Sequence, residues 1–206
     1  MPIELISLFS VPVIKFRFTK HNQYRFPSIE RSERIPSGWD LSLNSSFPFI
    51  EDGDPLVDSV TRDSLQKDLH YEITKVLTKA KISSGVMFST FWYNVYHENQ
   101  GQELHDHLAG PSETNDYWSG IYYNKNASPT RFHNTHKYMK TCSPPMIMED
   151  SPMDKFYHDM YEPPVEDGDV ILFPPWVNHE VVPDPNQTQM RLTFSFNLRY
   201  TSDNPL

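Results

Sequence analysis

Along residues 190–200 apolar and polar side chains alternate without a break, Leu192, Phe194, Phe196 and Leu198 against Arg191, Thr193, Ser195, Asn197 and Arg199. A period of two is a strand with one face for a core and one for something polar. The same reading predicts strands over 8–18, with Ile14, Phe16 and Phe18 on one face, and over 86–96, with Val86, Phe88, Trp92, Asn94 and Tyr96 together. Shorter strands are expected over 117–124, 131–133 and 169–173. One stretch follows a different period: Leu65, Leu69, Ile73, Val76, Leu77 and Ala80 fall on one face of a helix over 63–80, with Asp63 and Gln66 as its N-terminal cap. A helix of this kind covers a sheet, and a polar strand face then lines a cavity. The pattern predicts a mostly β fold, a sandwich or barrel of the antiparallel jelly-roll kind with a ligand between its sheets.

Two regions lack a period. Residues 21–58 are polar and rich in Ser and Pro, and read as a wrapping segment. Residues 139–169 hold five prolines and five of the eight methionines. Unstructured connections longer than about 12 residues are uncommon and often functional, so this loop is expected to be a lid. The whole chain, 1–206, reads as one domain: a wrapping segment over 1–60, the covering helix, and a β core over 84–200.

Composition narrows the function. A net charge of −9 argues against sequence-independent binding to nucleic acid, which needs clustered Lys and Arg. Cys142 is the only cysteine, so no intrachain disulfide forms and a reducing cytoplasm suits the chain. No apolar run approaches the roughly 20 residues of a membrane helix, and the start of the chain lacks the pattern of a signal peptide. A mean hydropathy of −0.60 does not imply disorder, because aromatic residues make up 14% of the chain and supply large buried areas.

The candidate chemistry lies in histidines. His105 and His107 are one residue apart, and on a strand both would face one way and could grip one metal ion, with Asp106 pointing out. A bulge would reverse this and bring Asp106 inward. His179 follows the 169–173 strand and a Pro174-Pro175-Trp176 turn that could aim it back at the pair. An isolated His-x-His is weak evidence, since surface and core-satisfied histidines are commoner. His97, His133, His136 and His158 have no ligand spacing. There is no Gly-rich phosphate loop, Cys-x-x-Cys pair or Gly-x-Ser-x-Gly elbow, which leaves nucleotide-binding and hydrolase readings unsupported.

Taken together, Tyr96, Gly101, His105-Asp106-His107, Ser119-Gly120-Ile121-Tyr122-Tyr123, His179-Glu180-Val181-Val182-Pro183 and Arg191-Leu192-Thr193 resemble the iron(II)/2-oxoglutarate-dependent oxygenases, which include the prolyl hydroxylases. The Gln102-Glu103, His-x-His and Ser-Gly-x-Tyr-Tyr elements are closest to oxygenases encoded in marine bacteriophage genomes. The resemblance covers about half the chain, from Phe91 to Arg199. It implies a double-stranded β-helix, iron(II) held by His105, His107 and His179, 2-oxoglutarate as cosubstrate, and ascorbate as an accessory. It also implies a hydroxylation that releases succinate and carbon dioxide, in the host cytoplasm if the gene is a phage's. The distal carboxylate of 2-oxoglutarate would pair with the Arg191 fork and the Thr193 hydroxyl, with Tyr96 and Tyr123 against the cosubstrate or, equally, as core aromatics. Trp92, Asn94 and Trp118 could line the same cavity. His107 departs from the wider superfamily, where an aspartate or glutamate usually stands.

Two other readings compete. A cupin-like jelly-roll module could use the three histidines to hold a metal without catalysis, for a structural or carbohydrate-binding role. A three-histidine dioxygenase could act without 2-oxoglutarate. A carboxylate clamp of Arg191 and Thr193 suits neither. The substrate class stays open between a small molecule and a protein side chain.

Overall fold

The computed structural model describes residues 11–30, 44–46, 59–82, 85–108, 116–135 and 159–201. Among these residues, ten strands form two antiparallel sheets. The larger has the order β1 (Ile14–Arg17), β8 (Asp169–Phe173), β5 (Trp118–Lys125), β10 (Arg191–Tyr200), β3 (Val86–Tyr96), β2 (Asn44–Ser45). The smaller has the order β4 (Gln102–His105), β9 (His179–Val181), β6 (Arg131–His133), β7 (Met160–Tyr161). This is the mostly β jelly roll that the alternation predicts. The loop expected over 139–169 falls largely outside the described residues, but its described end contains β7.

The central strand β10 lies between β3 and β5, and its two faces do different work. Leu192, Phe194, Phe196 and Leu198 are buried on one side against Leu65, Leu69, Ile73 and Leu77 of the helix α2 (Ser59–Lys79) and the strands around them. The helix therefore covers the outer face of the larger sheet, as the sequence predicts. It reaches back to Ser59, which places Asp63 in its second turn rather than at its cap. The segment after β1 also contributes: a 3-10 turn at His21–Gln23 and a short helix α1 (Pro27–Glu30) bury Tyr24, Phe26 and Ile29 in this core. Gly120 is required here, because a Cβ would strike the Phe196 ring across the β5–β10 pair.

Between the sheets lies a second, smaller apolar cluster that includes Ile121, Phe132, Ile171 and Phe173. Strand β8 is buried on both faces, Val170 and Leu172 outward and Ile171 and Phe173 inward, hence its unbroken apolar run.

Strand β3 corrects the simple alternation. Asn197 of β10 pairs with Thr90 and Leu198 with Phe88, so Ser89 is an extra residue that inverts the faces. Val86 and Phe88 pack with Phe91, Tyr93 and Val95 on the helix side, while Trp92, Asn94 and Tyr96 turn to the cavity side opposite Ser195, Thr193 and Arg191. Trp118, expected in the cavity, belongs to the helix-side core instead.

Candidate active site

The cavity between the sheets takes its floor from the polar face of β10 and its roof from the start of β4 and β9. It occupies about 320 Å³, its open mouth included, and is lined among others by His105, His107, His179, Gln102 and Arg191. One ring nitrogen from each of the three histidines lies within 4.8 Å of the other two.

Strand alternation is not what brings them together. β4 ends at His105, and its pairing with β9 is irregular between Gln102 and His105. His105 lies directly across from His179, and His107 is placed by its loop, its backbone N–H donating to the Pro175 carbonyl at 2.8 Å. Asp106 closes a local turn, with Oδ1 accepting from the Leu108 N–H at 2.9 Å. The irregularity that could have turned Asp106 inward instead leaves it outside the cluster.

Each imidazole is held in one orientation through Nδ1. His105 Nδ1–H donates to the Glu103 carbonyl at 2.7 Å, and His179 Nδ1–H to the Val177 carbonyl at 2.9 Å. His107 Nδ1–H donates to Asn197 Oδ1 at 2.7 Å, with Ser119 Oγ at 2.8 Å; Ser119 donates in turn to the same Asn197 oxygen. These bonds commit the proton to Nδ1 and leave the Nε2 lone pair of every ring as the one that can bind. Burial lowers the basicity of all three: His107 falls to about 4, and His179 falls well below the ordinary imidazole value, helped by its two neighbours. Three neutral imidazoles with converging lone pairs suit a divalent transition metal held on one side.

At the other end of the cavity Arg191 is 2% exposed. Its guanidinium lies 5.0 Å from the Tyr96 ring centre and 5.6 Å from that of Tyr123. Its one hydrogen bond among the described residues runs from Nη2 to Thr130 Oγ1 at 3.5 Å, and Nε is buried without a partner. No carboxylate pairs with it among the described residues. A buried cation in this state needs an anion, and a planar fork suits a carboxylate. The residues therefore fit both a metal and a dicarboxylate reaching from the metal to the guanidinium.

Tyr96 and Tyr123 flank that cation, and burial raises both phenols, Tyr96 to about 12. Tyr123 donates to Thr130 Oγ1 at 2.9 Å, and Tyr96 donates to Gln102 Oε1 at 3.0 Å. Thr193 lines the cavity as expected, beside Tyr96. Thr130 is the residue sequence reasoning missed: its oxygen accepts from both Tyr123 and Arg191, so its own proton is left to point elsewhere. It sits in the irregular connection before β6, where no period marks it. Of the residues outside the cluster, Trp92 lines the cavity and Asn94 bonds Ser195 at 3.1 Å. His133 bonds Glu180 on the smaller sheet at 3.0 Å, and His136 and His158 lie outside the described residues.

Residues 90–197 match the model of the family described as "Putative 2OG-Fe(II) oxygenase". A comparison with curated proteins finds no match. Among solved structures, the chain is similar to a Pseudomonas putida prolyl-4-hydroxylase, at 12% identity and a TM-score of 0.55, over 94% of this chain and 95% of that one. It is similar to HygX from Streptomyces hygroscopicus with nickel, 2-oxoglutarate and hygromycin B bound, at 12% identity and a TM-score of 0.57, over 93% and 84% of the two chains. It is also similar to SnoN, a non-heme alpha-ketoglutarate-dependent epimerase from nogalamycin biosynthesis, at 13% identity and a TM-score of 0.61, over 92% and 79%. At these identities the likeness is one of fold.

Proposed function

The chain belongs to the 2OG-Fe(II) oxygenase family, and from that premise we propose that it is an iron(II)- and 2-oxoglutarate-dependent dioxygenase that hydroxylates a small molecule or a protein side chain. The observation that carries this reading is the pairing of two features in one cavity: a cluster of three neutral imidazoles, and a buried guanidinium with no carboxylate partner among the described residues. A metal-binding module without oxygen chemistry needs the first but not the second.

In this reading His105, His107 and His179 hold the metal. Iron(II) with 2-oxoglutarate supplies oxygen activation, with decarboxylation of the oxo acid to succinate and transfer of an oxygen atom to a substrate C–H bond. The chain's own share is placement. Arg191, oriented between the rings of Tyr96 and Tyr123, receives the distal carboxylate through its fork, and the Thr130 hydroxyl has its proton available for the same group. Asn197 and Ser119 hold the His107 ring, and the backbone carbonyls of Glu103 and Val177 hold the other two. The apolar side chains of Ile121 and Val181 in the lining limit water around the charged groups.

The Gln-Glu, His-x-His and Ser-Gly-x-Tyr-Tyr elements support placing the chain with the oxygenases of marine bacteriophages, acting in the cytoplasm of the host cell. The neighbours of similar fold differ in what their names say they act on, so fold does not choose the substrate. The test is anaerobic reconstitution with iron(II) and titration with 2-oxoglutarate, monitored by the visible charge-transfer band of a chelated 2-oxo acid. Saturable growth of that band is expected; metal binding without it rejects the 2-oxoglutarate-dependent reading.

A further inference from the structure

Gln102 opens β4 and is buried beside the histidine cluster, lining the cavity. The amide of a glutamine looks alike from both ends, but its orientation here is fixed by its neighbours. His105 gives its Nδ1 proton to the Glu103 carbonyl, so its Nε2 is an acceptor and the group 3.3 Å away must be the Gln102 NH2. Gln102 Oε1 then faces Tyr96, which must donate to it. Hydrogen-bond direction thus runs from Tyr96, whose ring flanks Arg191, through Gln102 to His105 at the metal end of the cavity. One proton of the Gln102 amide is spent on His105, and the other has no acceptor among the described residues.

A metal on His105 takes the lone pair to which Gln102 now donates. Both amide protons are then without an acceptor, in a side chain only 6% exposed, which is an unfavourable state for a buried donor. The Tyr96 hydroxyl holds the carbonyl end of the amide away from the cluster. The acceptor that answers these protons must arrive with the ligand, as an oxygen at the metal. We propose that Gln102 is a cosubstrate-binding residue, its NH2 donating to an oxygen of the 2-oxo acid group of 2-oxoglutarate chelated beside His105. The proposal rests on the dioxygenase reading and adds to it a recognition element at the metal end, complementary to Arg191 at the distal end.

The experiment compares wild type, Gln102→Met and Gln102→Glu, each loaded anaerobically with iron(II), and measures metal affinity and 2-oxoglutarate affinity separately. Methionine keeps the volume and removes both donors. Its metal affinity should stay at or above the wild-type value, since no amide competes for His105, while its 2-oxoglutarate affinity falls about ten-fold or more. Glutamate keeps the shape, accepts only, and sets a negative charge against the cosubstrate, so it should bind 2-oxoglutarate more weakly still. If the methionine variant does not fold, the glutamate variant decides alone. Wild-type 2-oxoglutarate affinity in either folded variant overturns the proposal, and so does loss of metal from Gln102→Met, which would make the amide oxygen a metal ligand. Absence of the charge-transfer band in wild type instead rejects the dioxygenase reading itself.

Discussion

Asn197 Oδ1 stands 2.7 Å from His107 Nδ1, and this contact joins the last buried residue of the polar face of β10 to the histidine where relatives usually carry an acid. A carboxylate ligand needs no tautomer fixed; an imidazole does. Removing such a partner from a metal ligand commonly lowers metal affinity by about 10–100-fold. Asn197→Leu is expected to lose metal affinity in that range, and Asn197→Asp, which still accepts from Nδ1–H, to retain it. Metal titration of both variants checks this; equal loss in the two would show that the effect is one of packing.

His107 and Asp106 make a sharper pair. His107→Ala should lower bound iron(II), and Asp106→Ala should keep the full amount, because Asp106 is engaged in its local turn with Leu108. Iron content after desalting distinguishes them, and the reverse result would make Asp106 the ligand.

Arg191→Met should separate binding from stability. The guanidinium is buried with its Nε unpartnered among the described residues, and apolar replacement of a buried charge is often neutral or stabilising by about 1–4 kcal/mol. The metal-free variant should therefore unfold at a urea concentration no lower than wild type. Its 2-oxoglutarate affinity should drop ten-fold or more, on the order of 1.5–3 kcal/mol for a hydrogen bond to a charged group. Metal affinity should not change. Unaltered cosubstrate affinity would remove the clamp from the mechanism.

The histidines also set a pH dependence. Burial depresses all three below the ordinary 6.5, His107 to about 4, and unfolding restores them. Between these values the unfolded chain binds more protons than the folded one, so stability rises with pH. The contribution is full above pH 6.5 and is lost as pH falls through 4. Urea midpoints of the metal-free protein should decline over this window, and those of His107→Gln should decline less. A flat wild-type profile would contradict the buried neutral state.

Much of this was legible in the sequence because alternation reports burial directly. β10 reads correctly at every position from Arg191 to Leu198, and the face of α2 reads correctly at Leu65, Leu69, Ile73 and Leu77. Where reading failed, a single residue broke the period. Ser89 exchanges the faces of β3, and nothing in the run Met87-Phe88-Ser89-Thr90-Phe91 announces it, because apolar residues suit both sides. The His105 and His107 pair was anticipated, but for a different reason from the one the fold supplies: a loop anchored on Pro175, not a continuing strand. Thr130 and the brace on His107 depend on which segments meet across the two sheets, and local pattern holds no such information.

The polar face of β10 has one more consequence. Arg191 and Asn197 are fixed to a single strand paired on both sides, six residues and therefore about 20 Å apart along it. Neither end can slide toward the other without breaking the ladder. If one residue receives the far carboxylate and the other steadies the metal, the ladder on either side holds the two points from which their side chains reach, so that the strand does not have to rearrange when a ligand arrives.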